Sequence, residues 1–149
     1  MIETFDDLAR TEESESIELV FPARADLVVL ARFTAATIAA RAGFDVEEIE
    51  DLRLAVDELC VSFGPMDDRA CIRMELGRSD DTVTIVASFD QVPSPAAGGA
   101  AKTLDAVSWE QAIELSERLL DSLTDAHGRE TRAGRPTAWL RKRHAAADR

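Results

Sequence analysis

Apolar residues recur along this chain with two alternating periods. Between Val46 and Phe63 the run VEEIEDLRLAVDELCVSF places Ile49, Leu52, Val56, Leu59 or Cys60, and Phe63 at three- and four-residue steps, which predicts an amphipathic helix. Asp45 ahead of it and Glu48 three positions on form a capping-box pattern, with Phe44 placed to staple onto Ile49. From Arg24 to Ala42 a second helical run, rich in Ala and Leu and without internal Gly or Pro, stops at Gly43. Its expected inward face is Leu27, Leu30, Thr34 and Ile38. Val28, Val29 and Phe33 widen the apolar surface beyond what one sheet covers, which points to a partner surface.

The period then shortens to two. Ile17, Leu19 and Phe21 predict a short strand that Pro22 ends. Ile72, Met74 and Leu76 alternate with Arg73 and Glu75, and Val83, Ile85 and Ala87 with Thr84 and Ser88; Gly77, Ser79, Asp80 and Asp81 between them predict a β-hairpin. Gly64-Pro65 followed by Asp67-Asp68 ends the central helix in a turn. A third helix is expected from Ser108 as cap with Gln111 completing a box; its apolar face is Ile113, Leu115 or Ser116, Leu119, Leu120 and Leu123, and Trp109 reads as a packing residue. Arg135 to Arg141, with Ala138 and Leu140 opposite Trp139, closes the sheet. Residues 1–15 read as a mobile acidic arm, 16–143 as one domain and 144–149 as a frayed tail.

Composition narrows the function. A length of 149 residues suits one domain, and no apolar run approaches the roughly 20 residues needed to span a bilayer. No basic segment precedes an apolar one at the start, so a cytoplasmic protein is expected, with Cys60 and Cys71 as reduced thiols lacking metal-ligand spacing. The net charge of -12 argues against direct nucleic-acid binding. Residues 1–18 carry seven acids against Arg10 and residues 44–68 nine against Arg53, whereas from Arg129 onward seven basic residues face two acids. Such runs read first as solvated surface and second as docking patches. His127 and His144 are too isolated for a metal cluster, so no metal site is expected from the protein's own ligands.

Asp51 to Phe63, DLRLAVDELCVSF, resembles the helix that carries the first ATP-binding motif of the GHKL superfamily, in particular its anti-sigma-factor serine kinases of the RsbW and sporulation type. In that family a Glu is followed four residues later by an Asn. Glu58 matches the Glu, the base that polarises the attacking hydroxyl, and Ser62 stands where the magnesium-binding Asn is expected. The pair lies four residues apart on one helix face, so carboxylate and hydroxyl are expected to share one small pocket. Phe21 to Arg32, FPARADLVVLAR, also resembles the sporulation-type anti-sigma factors. Arg32 falls on their partner-contact arginine, and Arg24 is carried over beside it.

Other parts of the family pattern are altered. In ASFDQVPSP, Ser88 occupies the place of the Asp that reads the adenine amino group, Asp90 comes two residues late, and both glycines of the family's box are missing. PSPAAGGAAK stands where relatives carry the ATP lid, with Gly98-Gly99 as a loop or a remnant of the phosphate cradle. The Gly-x-x-Thr step from Gly134 to Thr137 resembles the family's final strand, where a Thr helps hold phosphate; a strand Thr chosen for its β propensity is the plainer account. Glu58 likewise has a structural alternative, pairing with Arg53 or Arg73.

The resemblance implies an α+β two-layer sandwich of the GHKL (Bergerat) type, with a mixed, mostly antiparallel sheet backed by helices. It implies an anti-sigma factor, acting as a homodimer in stress-response transcription, that sequesters an alternative sigma factor and is countered by a STAS-type antagonist. ATP or ADP with magnesium is the implied cofactor. Phosphoryl transfer needs metal ligand, phosphate cradle and base together, and here only the base is in place, so the expectation leans away from catalysis. An active serine kinase for the antagonist is the alternative, and a decayed domain serving as an oligomerisation scaffold a third.

Overall fold

The computed structural model describes residues 14–64, 67, 69–91 and 106–145. In chain order these form β1 (Ser14–Pro22), a 3-10 turn at Ala25–Leu27, α1 (Val28–Arg41), α2 (Val46–Val61), β2 (Ala70–Ser79), β3 (Thr82–Gln91), α3 (Ala106–Leu123), β4 (Ala126–Arg132) and β5 (Arg135–Arg143). The strands make one five-stranded sheet in the order β1-β2-β3-β5-β4. Every pairing is antiparallel, so the sheet is uniform where a mixed one was expected. Helices pack on one face of it, and the core between the layers contains Ile38, Leu52 and Leu59 from the helices against Ile72, Met74, Leu76, Ile85 and Leu140 from the strands. This is the expected α+β sandwich.

The strand pattern carried most of the register. Ile72, Met74 and Leu76 face the same side as Val83, Ile85 and Ala87, all wholly buried. The β2–β3 connection is tighter than expected, a two-residue turn at Asp80-Asp81, and Gly77 lies inside β2 opposite Thr84. At the other end of the chain β1 starts at Ser14. The last two residues assigned to the arm are therefore in the sheet, and the Glu15 carboxylate accepts from Arg41 Nε at 2.7 Å and from Arg78 Nε at 2.9 Å. Those guanidinium groups hold Glu15 below its ordinary pKa.

The inward face of α1 differs from the one expected. Val28, Ala31, Ala35, Ile38 and Ala39 point inward, Leu30 is largely exposed, and Thr34 turns its hydroxyl back onto the Leu30 carbonyl at 2.8 Å. Small residues on this face let α1 lie close to α2 and the sheet, and the helical period then leaves Leu30 and Phe33 on the outer face. Gly43 ends the helix at φ +86°, a conformation that favours glycine.

α2 begins as its sequence predicts: Asp45 accepts the Glu48 N–H at 2.8 Å, and the Glu48 carboxylate accepts the Asp45 N–H at 3.0 Å. α3 starts at Ala106, so Ser108 lies within its first turn and is not the cap. β4 is an addition to the expected order. It is an edge strand joined to β5 by a turn at Ala133-Gly134, both at positive φ, and AHGRETR offers no apolar alternation to reveal it. Of the expected frayed tail, His144 and Ala145 are docked, and 146–149 lie outside the described residues: His144 Nδ1 lies 2.6 Å from Glu48 Oε1, its ring stacks on Phe44, and the Ala145 N–H donates to Glu48 Oε2 at 2.8 Å.

Candidate functional site

The last turns of α2 bring Glu58 and Ser62 to one cavity of about 270 Å3, as their i, i+4 spacing requires. Its wall is completed by Ser116 and Glu117 of α3 and by His127 and Arg129 of β4. Glu58 pairs with neither arginine proposed for it: Arg53 donates to Glu50 at 2.8 Å and Arg73 pairs with Glu18. Instead the buried Ser116 hydroxyl donates to Glu58 Oε2 at 2.5 Å. Around them Arg129 Nη2 bonds Glu117 and His127 Nε2 meets Asp121, each at 2.6 Å.

Ser62 caps α2 and donates its hydroxyl to the Leu59 carbonyl at 2.5 Å. The Ser62 hydroxyl hydrogen is thus committed to the backbone, and the neighbouring Glu58 carboxylate accepts from Ser116. No group of three or more His, Cys, Asp or Glu among the described residues is arranged to hold a metal ion.

Ser88 is not part of this cavity. The two-residue period of β3 sends Ala87 into the core and Phe89 against it, with the Phe89 ring stacked on Phe63 at 5.5 Å, and leaves Ser88 on the other face. There it sits opposite Thr137 of β5 and lines a hollow of about 230 Å3 with Arg73 and Arg135. Asp90 is engaged by Arg135 at 3.3 Å. Thr137 bridges the two regions: it lines that hollow and a second one, about 290 Å3, that includes Ser62 and Phe63. The stretch with Gly98-Gly99, expected over the phosphates, lies outside the described residues.

Arg32 and Arg24 fare differently. Arg24 is exposed and clamps Asp26, two residues away, through two hydrogen bonds. Arg32 lies in a groove of about 370 Å3 between α1 and the end of α2, with Val28, Asp57, Cys60 and Gly64. Its Nη1 reaches Asp57 Oδ2 only at 3.4 Å, and its buried Nε has no hydrogen-bond partner among the described residues. Burial pushes the Asp57 carboxyl above its ordinary pKa; Arg32 pulls the other way and the charge on Glu58 adds to the rise. Burial likewise lifts the Cys60 thiol to about 12, which makes it an inert core group. Beside the groove on α1, Leu30 and Phe33 are 46% and 60% exposed.

Sequence reasoning missed the β4 half of the cavity and left Ser116 as one of two inward options. The structure selects Ser116 over Leu115, which is 59% exposed. The signal was the spacing Ile113, Ser116, Leu120 and Leu123, which forms one face with a single hydroxyl in it.

No family model matches the chain. It is similar to proteins named "Serine-protein kinase RsbW": 35% identical over 84 residues to that of Bacillus cereus strain B4264, covering 54% of this chain and 52% of the relative. The RsbW protein of Bacillus thuringiensis strain Al Hakam is 41% identical over 51 residues, 34% of this chain and 32% of the relative. The chain thus spans about half the length of the curated relatives it matches.

Proposed function

We propose, with the likeness to RsbW-type GHKL proteins as the premise, that this chain is an anti-sigma factor of the partner-switching kind. It binds and sequesters an alternative sigma factor in the cytoplasm and yields it to a STAS-type antagonist. The observation that carries this reading is the Arg32 groove. A guanidinium with one long ion pair and an unsatisfied Nε, flanked by the exposed Leu30 and Phe33, has the make-up of an interface centre, where arginine and aromatic anchors dominate binding. The same apolar strip on α1 supports a homodimer. Arg24 is at most a rim contact, since Asp26 already occupies it.

The nucleotide site is degenerate under this reading. Glu58 and Ser62 line one hollow and Ser62 and Thr137 a neighbouring one, which together offer a weak site for ADP or ATP; Ser88 faces away from the first, and no metal-ligand cluster stands ready for a magnesium-dependent transfer step among the described residues. The second reading, a serine kinase acting on the antagonist, is favoured by one feature: Glu58, which stands where the family's base is expected, faces the cavity.

The test is titration of the purified chain with alternative sigma factors and STAS-type proteins of its own organism, with Arg32→Ala alongside. A sigma factor bound by the wild type and at least tenfold more weakly by Arg32→Ala supports the reading, since an interface hot spot costs about 2 kcal/mol or more. Failure to bind any sigma factor leaves the oligomerisation scaffold. Phosphate transfer from ATP to a serine of the antagonist establishes the kinase.

A further inference from the structure

Helix α3 is attached to the rest of the domain by apolar and polar contacts together. Among its described residues only Ser116 and Leu120 are buried, while Leu115 and Leu119 are 59% and 38% exposed. Its inner face carries Leu120 in the core and Leu123 packed against it, and around these run polar contacts: Ser116 to Glu58 of α2, and Glu117 to Arg129 and Asp121 to His127 of β4. The Glu117–Arg129 pair is close to half exposed on both sides, and such surface pairs contribute little. A hydrogen bond from a buried hydroxyl to a carboxylate is the stronger tie. Elements with few buried apolar contacts open at low free energy.

What α3 covers is the Glu58–Ser62 cavity. Ile113, Ser116, Glu117 and Leu120 form the α3 wall of this cavity of about 270 Å3. Glu58 Oε2 is occupied by the Ser116 hydroxyl, so a ligand that takes that oxygen, or an outward movement of α3, breaks the Ser116–Glu58 bond.

We propose that α3 is a latched cover over this cavity, that the Ser116 hydroxyl bound to the Glu58 carboxylate is the latch, and that a nucleoside phosphate enters by displacing it. What is gated rests on the nucleotide-site reading above; the latch itself rests on the geometry of α3. The arrangement also explains how Glu58 is kept from acting as a base: its acceptor oxygen is filled in cis by a serine of the same chain. Ser116 is in this sense a positioning residue, one that sets the availability of Glu58.

The experiment compares amide hydrogen exchange of wild type, Ser116→Ala, Ser116→Thr, Glu58→Ala and the Ser116→Ala/Glu58→Ala double variant, and titrates the wild type and the two Ser116 variants with ADP and ATP, with and without magnesium. Each alanine variant is expected to speed exchange in α3 on the order of tenfold, the size of a lost charge-assisted bond, with β2 and β3 unchanged. The double variant should exchange no faster than the singles, because both remove the same bond. Ser116→Thr keeps the hydroxyl and should restore slow exchange. ADP should bind Ser116→Ala several-fold more tightly than wild type, with Ser116→Thr close to wild type. Unchanged α3 exchange in Ser116→Ala, or additive effects in the double variant, overturns the latch. Faster exchange with no nucleotide bound by any protein at millimolar concentration overturns nucleotide entry and, with it, the nucleotide-site reading, while the latch is retained.

Discussion

At the N-terminal end of α2, the Glu48 carboxylate accepts the Asp45 N–H, the Ala145 N–H and the His144 ring contact, is 8% exposed, and sits where the helix dipole favours negative charge. At the C-terminal end, Asp57 and Glu58 are adjacent carboxylates near the unfavourable pole, and among the described residues Asp57 has one ion pair of 3.4 Å and the arginine that makes it has an unsatisfied Nε. One helix thus carries a completed hydrogen-bond network at one end and an incomplete one at the other. Buried polar groups are almost always satisfied, so under the proposed function the end that leaves them wanting is where a partner is expected to complete the structure. The first end holds the fold; the second is free to work.

The largest expected effect comes from breaking the completed end. Glu48→Ala strips the capping box and the tail of their shared acceptor and should cost about 2–4 kcal/mol, because two N–H donors and a ring nitrogen lose a buried partner at once. Glu58→Ala removes one bond beside a cavity that water can enter, and should cost about 1–2 kcal/mol. Denaturant midpoints of the two variants check this. Equal losses would erase the distinction between the ends.

That distinction was half legible in the sequence. The capping box was readable because Asp45 and Glu48 are local, three residues apart, and their bonds depend on no other element. Its third participant was not, since His144 lies 96 residues from Glu48 and meets it only after β5 has crossed the sheet. At the other end, i, i+4 spacing put Glu58 and Ser62 together, while the partner that defines their chemistry, Ser116, comes from a helix 58 residues away. Ser88 was misplaced for a simpler reason: a motif position was carried over while the two-residue alternation of β3, readable from Val83, Ile85 and Ala87, already sent it to the opposite face. Leu30 was assigned inward because large apolar residues usually are, but α1 packs through alanines.

A smaller effect sharpens the comparison through pH. Burial works to raise the Glu48 carboxyl, but the hydrogen bonds from Asp45, Ala145 and His144 outweigh it and hold the group below its ordinary value. Its folded pKa therefore lies below the unfolded one, near 4.3 for a free glutamate. The stabilisation is complete above that value and is lost as pH falls through the folded value. Thermal midpoints measured from neutral pH down to about pH 3 should fall less steeply in Glu48→Gln than in wild type. Parallel curves would mean that the charge on Glu48 contributes nothing beyond its shape.

The smallest effect should appear at Asp57, with the opposite sign. Burial comes first among the causes that raise its carboxyl, the Arg32 charge opposes it, and Glu58 adds to it. A folded pKa above the unfolded one means that the ionised form is the disfavoured form in the folded protein. The penalty sets in as pH rises through the ordinary aspartate range and is complete above the folded value. Asp57→Asn removes that penalty and keeps an oxygen for Arg32 Nη1, losing only a half-exposed ion pair of little worth. At pH 7 the variant should therefore lie within about 0.5 kcal/mol of wild type, against the several kcal/mol lost by Glu48→Ala. Its stability should also be flat across the aspartate range, where the wild-type Asp57 contribution declines. If Asp57→Asn is instead as damaging as Glu48→Ala, the Arg32–Asp57 pair is a structural clasp, and the groove beside it is a finished part of the fold with nothing left for a partner to complete.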